Sequence, residues 1–233
     1  MATYYVGWDV GAWYCDKNAH SRDAIVVLDE NKVIVASRRR VVRRELTKNN
    51  IHEFLNEFLK DSFYPHNRQF NAKDNFVFAI DAVFSFPYGV TELLAGKNYI
   101  LDAEAWDEGK SIQNSLLFRY TERFVSDKER KPLSVIQDSI GSQSTKVIYF
   151  LRHFQFEQEN VGIWETVNGN IAIETYPSVV GEKGNDIDDA KICANLAWRF
   201  RHDKSSLYQP DNETKHLETI KKEGWIWFPK KEQ

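Results

Sequence analysis

The stretch of sequence that decides the fold is Tyr4-Tyr5-Val6-Gly7-Trp8-Asp9-Val10-Gly11. Its aromatic and β-branched residues predict a buried first strand. Asp9 lies within this otherwise apolar run, and an ionised carboxylate in such surroundings is costly unless a cation or hydrogen-bond donors compensate it. The same stretch therefore predicts both the start of a sheet and a functional position at its end.

The residues after this strand predict a sheet that begins antiparallel and continues with buried strands. In chain order, the patterns indicate strands over residues 24–28 and 33–36, a helix over 51–59 with Asn49 or Asn50 as N-cap, a loop over 64–75, and a strand over 76–80 that Asp81 ends. The turn residues Asp29-Glu30-Asn31-Lys32 join the first two of these strands as a hairpin. Short apolar runs such as 76–80 are typical of strands buried on both faces of an α/β sheet.

The second half of the chain predicts helices, one hairpin and an apolar tail. Residues 88–161 are expected to form a mostly helical insertion within a single domain over 1–233. The patterns indicate helices over about 112–125, from a capping Ser142 or Ser144 to Phe154, over 187–200 and over 211–222, a hairpin of 163–167 with 171–176, and a short strand or packed tail over 225–229. The step Asn168-Gly169 is the signal for the hairpin turn.

The composition is that of an ordinary globular protein. Of 233 residues, 42% are hydrophobic and 14% aromatic, which is enough for a packed core and excludes disorder over most of the chain. No apolar run approaches the ~20 residues of a membrane span, and the first residues show no signal-peptide pattern. The 2 cysteines are too few for a disulfide framework. The net charge of −3 gives no overall sign of nucleic-acid binding, although it is compatible with a local basic groove that binds nucleic acid. We therefore expect a cytoplasmic protein without membrane contact.

Carboxylates at two further places share the unusual setting of Asp9. Asp81 closes a buried strand, and Asp188 and Asp189 begin a helix. If these acids converge, a divalent cation neutralises them. The sequence offers oxygen ligands without a Cys/His cluster, so a hard cation, Mg²⁺ or Mn²⁺, is favoured. For each position alone the alternative is structural, because such an Asp also caps a helix, complements its dipole or forms a turn.

The order of these acids along the chain resembles the RNase H-like superfamily. That α/β fold has a five-stranded mixed sheet, three antiparallel strands and then parallel strands, flanked by helices. The resemblance implies an acid on the first strand, one at the end of the fourth and one on the last helix, which here are Asp9, Asp81 and Asp189. Residues 184–190 also look like the last-helix motif of RuvC-type resolvases, in which Asp186 and Asp189 share a helix face.

Motifs along nearly the whole chain resemble a bacterial and archaeal family of unknown function, numbered 429, whose members are described as predicted RNase H-like nucleases. The matching segments are Gly7-Trp8-Asp9-Val10-Gly11, Ile80-Asp81-Ala82 with Phe86-Pro87, Phe118-Arg119-Tyr120-Thr121-Glu122-Arg123, Ile173-Glu174-Thr175-Tyr176-Pro177, Asp188-Asp189-Ala190 with Cys193-Ala194, and Gly224-Trp225-Ile226-Trp227-Phe228-Pro229. The resemblance implies the fold more strongly than the activity, because nuclease activity in that family is itself inferred from its fold.

A second group of residues is predicted to contact the substrate. Arg119, Glu122 and Arg123 lie on one helix face, and Arg binds phosphate through two parallel hydrogen bonds. Lys146 is assigned to the same substrate-binding set. The alternative for the helix is an intrahelical ion pair. Glu174, in the strand before Tyr-Pro, is expected either to join the catalytic acids as a fourth ligand or to pair with Arg119 or Arg123.

Two other features have a functional and a structural interpretation. The arginine-rich run over residues 38–44 fits a nucleic-acid backbone, but a solvated edge strand is favoured. Trp225 and Trp227 fit a stacking platform for bases, but packing of the tail on the domain is favoured.

The function that these features favour is a metal-dependent phosphodiesterase, a nuclease that acts on nucleic acid or a nucleotide. Two alternatives remain. Asp9-Val10-Gly11 matches the Asp-x-Gly of the actin-like and sugar-kinase relatives, which bind ATP, although a second Gly-rich phosphate hairpin is missing from the sequence. The other alternative is a catalytically inactive RNase H-like binding protein.

Overall fold

The computed structural model describes residues 2–62, 69–101, 110–179 and 184–231. These residues form an α/β structure around one mixed sheet of eight strands. The strands are β1 (Thr3–Asp9), β2 (Asp23–Leu28), β3 (Ile34–Arg40), β4 (Asn75–Asp81), β5 (Glu157–Asn160), β6 (Ile163–Glu165), β7 (Ile171–Thr175) and β8 (Ile226–Trp227). Part of the predicted loop over 64–75 lies outside the described residues.

The sheet begins antiparallel and becomes parallel at its centre, as predicted. Its strand order is β3-β2-β1-β4-β7-β6-β5, and β8 pairs with β7. β1 is antiparallel to β2 and parallel to β4, which is in turn parallel to β7. The sheet has three strands more than the five that the resemblance implies, namely β6 and β8, which the patterns at 163–167 and 225–229 indicated, and β5, which they did not. β5, Glu157–Asn160, has no apolar residue and is formed by pairing with β6, so periodicity could not reveal it.

Six α-helices occupy the described residues. They are α1 (Ile51–Leu59), α2 (Tyr88–Leu94), α3 (Tyr120–Lys128), α4 (Gly141–His153), α5 (Asp186–His202) and α6 (Leu217–Glu223). Short 3₁₀ turns lie at Arg44–Thr47, Ser111–Gln113, Pro177–Val179 and Lys204–Ser206. The cap predicted for α1 is confirmed, since the Asn50 side chain accepts a hydrogen bond of 3.0 Å from the Glu53 backbone N–H.

Two predicted helices are wrong in extent. The region 112–125 is broken, because Asn114 accepts a hydrogen bond of 2.9 Å from the Leu116 N–H in a local turn, and α3 begins only at Tyr120. The helix expected over 211–222 begins at Leu217, because Asp211 forms a similar turn by accepting from the Glu213 N–H at 2.9 Å. In both places a short polar side chain competes with the helix for backbone groups.

The predicted serine cap of α4 is also wrong. The helix begins at Gly141, so that Ser142 and Ser144 both lie inside it. The Ser142 hydroxyl accepts a hydrogen bond of 2.8 Å from the Trp13 backbone N–H, which joins α4 to the loop after β1. The Ser142 side chain therefore makes a tertiary contact instead of capping the helix as the local pattern predicted.

The helices cover both faces of the sheet with separate cores. On one face, α1 and α4 pack their aromatic residues against the strands, where Trp8, Phe54, Phe78 and Phe150 are fully buried. α5 packs on the opposite face through small residues of its 190–197 segment. α4 belongs to the stretch predicted as a helical insertion, yet it supplies part of the main core.

The structure favours the structural interpretation of both the arginine-rich run and the tryptophan tail. β3, which carries residues 38–40 of the basic run, is an edge strand of the sheet. Trp225 and Trp227 are buried, and their ring N–H groups donate to the backbone oxygens of Tyr208 and Gly162. Within the described ranges, no helix is both long enough and apolar enough to cross a membrane.

Gly7 lets α5 lie directly against β1. A Cβ atom at this position would stand 1.9 Å from the Ala190 carbonyl oxygen and 2.2 Å from the Ala194 nitrogen. Both are backbone atoms of α5 and cannot rotate away. The missing side chain therefore sets the distance between the strand that ends in Asp9 and the helix that begins at Asp186.

We expect Gly7→Ala to lower the free energy of unfolding by about 3 kcal/mol or more, because the added methyl group forces backbone apart in a packed core. Gly141→Ala is the matched control. Its nearest neighbouring atom would be 3.9 Å away, and alanine at this helix position should be neutral or up to ~1 kcal/mol stabilising. Urea unfolding of the three proteins measures the effect, and equal midpoints would contradict the close approach.

Candidate metal centre

The parallel pairing of β1 and β4 brings two of the predicted acids together. Asp9 is the last residue of β1, Asp81 is the last residue of β4, and the two are register partners. Register partners on adjacent strands project to the same face, and the strands lie ~4.8 Å apart. Alternation along β1 puts Gly7 and Asp9 on one face, which is the face that α5 covers.

The first turn of α5 adds the third acid. Burial, followed by the charges of Asp186 and Asp189, raises the pKa of Asp9 to about 7. Burial and the charges of Asp9 and Asp189 raise the pKa of Asp81 well above its usual value. The pKa of Asp189 is raised too, by burial and by its neighbours Asp186 and Asp188. The acids from β1, β4 and α5 are thus close enough to repel one another.

Among the described residues, these three carboxylates receive little compensating charge. Arg39 lowers the pKa of Asp9, but by less than burial and the neighbouring acids raise it, and no lowering group acts on Asp81 or Asp189. As the side chains stand, no three His, Cys, Asp or Glu residues among those described form a ready ligand set. The donor chemistry nevertheless fits a hard divalent cation, because all donors are carboxylate oxygens and their shared charge is unneutralised.

The other two acids of α5 have partners of their own. Asp188 accepts a hydrogen bond of 3.2 Å from the Asn185 backbone N–H in a capping box, which is the structural alternative for this residue. Asp186 lies beside Asp9 but also accepts a hydrogen bond of 2.5 Å from Arg39 Nε. Of the predicted ligands, Asp9, Asp81 and Asp189 therefore form the core of the cluster, with Asp186 at its edge.

Glu174 forms the ion pair that was its alternative role. Arg119 Nη1 donates to Glu174 Oε2 at 2.9 Å, and Nη2 donates to Oε1 of the same carboxylate. The side chains are 0% and 4% exposed. Register pairs Glu174 with Ile80, so that it points to the face opposite the side chain of Asp81. Although burial acts in the other direction, the charges of Glu174 and Glu122 raise the pKa of Arg119 above its usual value.

The predicted phosphate-binding face is largely internal. Arg119 Nε donates to Glu122 Oε1 at 2.8 Å, and both side chains are fully buried, as in the ion-pair alternative. Glu223, which the sequence did not single out, accepts from the backbone N–H groups of Tyr88 and Tyr120 at 2.7 and 2.6 Å. Arg123 is partly exposed, and its Nε has no hydrogen-bond partner in the described chain.

Lys146 is buried and pairs with an acid that the sequence analysis missed. Its Nζ lies 2.9 and 3.0 Å from the two carboxylate oxygens of Asp23 and 3.0 Å from the Ala12 carbonyl oxygen. Asp23 also accepts from Trp8 Nε1 and from the Gly11 N–H, each at 3.1 Å. The pair fixes the backbone that follows Asp9. Asp23 is the first residue of the apolar strand β2. A carboxylate at the end of a buried strand is the signal that identified Asp9, and the same signal could have identified Asp23.

An open cleft of about 190 Å³ lies beside the cluster, with Asp9 and Asp81 in its wall. A larger cleft of about 900 Å³ lies elsewhere, between β5, Lys204 and Lys221, and contains none of the clustered acids. The smaller cleft is the relevant one, because it lies at the carboxyl ends of parallel strands, where open α/β sheets bind ligands.

We expect Lys146→Met to lower the free energy of unfolding by ~3–5 kcal/mol, because it leaves the buried Asp23 carboxylate without its cation. Lys221→Met is the control, since the pair of Lys221 with Glu218 is exposed and should contribute less than ~1 kcal/mol. Urea titration of both variants measures these changes in the free energy of unfolding. If Lys146→Met lowered it no more than the control does, the buried pair would not be structural.

The raised pKa of Asp9 predicts a pH dependence. In the folded protein the carboxyl group of Asp9 keeps its proton up to about pH 7, whereas in the unfolded chain it loses the proton near the ordinary pKa of 3.8. Metal-free stability should therefore fall as pH rises between these values, by on the order of 1–3 kcal/mol from pH 5 to 8 relative to Asp9→Asn. Urea unfolding at both pH values measures this difference, and parallel pH profiles would contradict the crowding of charge at Asp9.

No family model, curated protein or solved structure matches this chain. The interpretation of the site therefore depends on its own geometry. That geometry consists of two register-paired carboxylates at the ends of parallel strands and a third in the first turn of α5, with Arg39 the single described cation that acts on them.

Proposed function

We propose that this chain is a Mg²⁺- or Mn²⁺-dependent phosphodiesterase of the RNase H-like superfamily, acting on nucleic acid or a nucleotide. The observation that carries the proposal is the cluster of Asp9, Asp81 and Asp189. Burial raises the pKa of all three, and the charge of Asp189 further raises the pKa of both Asp9 and Asp81, which indicates a site that is completed by positive charge. A site of this charge and oxygen chemistry binds the metal ions of phosphoryl chemistry.

The topology supports the fold part of the proposal. The central strands run in the order β3-β2-β1-β4-β7, with the first three antiparallel and the last three parallel. Acids stand at the end of the first strand, at the end of the fourth, and in the first turn of the long helix α5. The first two are the strand positions that the resemblance to RNase H-like nucleases implies for the ligands; it implies the third on the last helix, whereas here the short α6 follows α5.

In the proposed reaction the side chains hold and orient the metal ions and the substrate. When bound, Mg²⁺ or Mn²⁺ would supply Lewis-acid chemistry that activates water and stabilises the leaving oxygen of the phosphodiester. Asp9, Asp81 and Asp189 would hold the ions. The buried pair of Asp23 and Lys146 fixes the chain after Asp9. Arg39, whose side chain is half-exposed and pairs with Asp186, would be free to bind a substrate phosphate if that pair opened.

Two neighbouring acids of α5, Asp189 and Asp188, provide a test of the assignment of Asp189 as a metal ligand. We expect Asp189→Asn to remove most of the thermal stabilisation by Mn²⁺ and to lower phosphodiesterase turnover by ~100-fold or more, because ligand loss should exceed the 10–100-fold effect of losing a supporting residue. Asp188→Asn should keep both, since asparagine still accepts the capping hydrogen bond. Melting curves with Mn²⁺ and cleavage of end-labelled single- and double-stranded DNA and RNA provide the measurements.

A wild-type melting temperature that Mn²⁺ leaves unchanged at neutral pH, together with no cleavage of any of the four nucleic acids, would contradict the proposed function. Equal losses in Asp189→Asn and Asp188→Asn would contradict the assignment of Asp189, because only Asp189 acts on both strand acids.

A further inference from the structure

The cleft beside the carboxylates is lined by both charged and apolar side chains. Its acids are Asp9 and Asp81, together with Glu122 and Glu174, which pair with Arg119. Its apolar and aromatic lining consists of Val83, Pro132, Leu133, Ile140, Tyr176 and Ile226. A ligand that has a charged part and a flat or apolar part therefore finds both kinds of contact here.

A buried acceptor in the same cleft lacks a donor. Gln143, on α4, lines the cleft, and its Oε1 atom is buried with no hydrogen-bond partner in the described part of the chain. An unpaired buried carbonyl oxygen is destabilising, and each one in a native structure calls for an explanation. An N–H group of a ligand that enters the cleft would satisfy it.

Tyr176 is the aromatic residue in the lining of this cleft. It follows the last residue of β7, Thr175, and the charge of Asp81 contributes to its raised pKa, whose main cause is burial. Its side chain is partly exposed. Aromatic side chains in nucleic-acid clefts bind bases by stacking, and Tyr176 lines the same cleft as Asp9 and Asp81.

The size of the cleft limits what it holds. Its volume of about 190 Å³ is below the ~300–1,000 Å³ typical of pockets that enclose a whole drug-sized ligand. A cleft of this size suits one ring system and not a whole nucleotide. A base bound in it would have to enter without its Watson–Crick partner, because the volume is too small for a base pair.

We propose that this cleft binds one unpaired nucleobase, stacked on Tyr176 and hydrogen-bonded through an N–H group to Gln143, adjacent to the phosphate at Asp9 and Asp81. The inference rests on the proposed function for the position of the phosphate, and it deepens that function by naming the substrate as a single-stranded or locally unpaired nucleotide. Base identity is read at Gln143, whereas stacking on Tyr176 is common to all bases.

The first experiment separates base binding from metal chemistry. Titration calorimetry of the metal-free protein compares adenosine, cytidine, guanosine and uridine with ribose, and then repeats the series with Mn²⁺ and the 5′-monophosphates against ribose 5-phosphate. We expect at least one base-containing ligand to bind about 5- to 150-fold more tightly than its sugar, which is the stacking contribution converted to affinity. Equal affinity in both series overturns the proposal.

Three variants test the two residues. Tyr176→Ala should abolish the advantage of the base, whereas Tyr176→Phe should retain it because the ring remains. Gln143→Leu should weaken binding of the preferred base and yet leave the urea midpoint of the free protein unchanged or higher, since it removes an unpaired buried acceptor. A merely structural glutamine would give a lower midpoint with unchanged base binding, and that result overturns the role of Gln143.

The two proposals fail in different ways. If nucleosides bind while Mn²⁺ neither stabilises the protein nor supports cleavage, the base cleft stands and the phosphodiesterase does not. If Mn²⁺ supports cleavage, but a single-stranded oligonucleotide with an abasic site at the scissile position is cut with unchanged kcat/KM, the phosphodiesterase stands and the base cleft is overturned.

Discussion

The in-register parallel pairing of β1 with β4 is the constraint on which the candidate site depends. It fixes Asp9 and Asp81 at the same end and on the same face of the sheet, at a separation set by backbone hydrogen bonds. Gly7 then admits α5 to the same face, so the helix that carries Asp189 begins above them. Like charges brought together in this way raise one another's pKa, and the cost is relieved by a cation.

The acids on the buried strands fall into two groups, those paired with a buried cation and those without one among the described residues. Asp23 and Glu174 also lie on buried strands, but each receives a buried cation, Lys146 or Arg119, together with backbone N–H donors. Such pairs stabilise the fold only as complete pairs, since removing one partner leaves a buried charge. The clustered acids differ from these two in having no such partner among the described residues, and this contrast separates a candidate reactive site from structural ion pairs.

The paired charges also support the cluster from both sides. The ion pair of Lys146 holds the chain segment after Asp9. The ion pair of Arg119 holds Glu174, which in turn accepts a hydrogen bond of 3.1 Å from the Phe84 N–H just after Asp81. Each strand-end acid is thus followed by a loop that is anchored to a buried carboxylate, so the cluster is positioned by a rigid frame and not by the acids themselves.

The sequence alone determined the apolar strands, the turn at Asn168-Gly169, the Asn50 cap and the strand positions of Asp9 and Asp81, because these depend on local periodicity and turn chemistry. Only the tertiary structure decided the rest. β5 exists because β6 pairs with it, Ser142 bonds the Trp13 backbone instead of capping α4, and Lys146 and Arg119 are inside because Asp23 and Glu174 meet them there. A charged side chain is placed by the partner it finds across the fold, and that partner lies more than fifty residues away along the chain in both ion pairs.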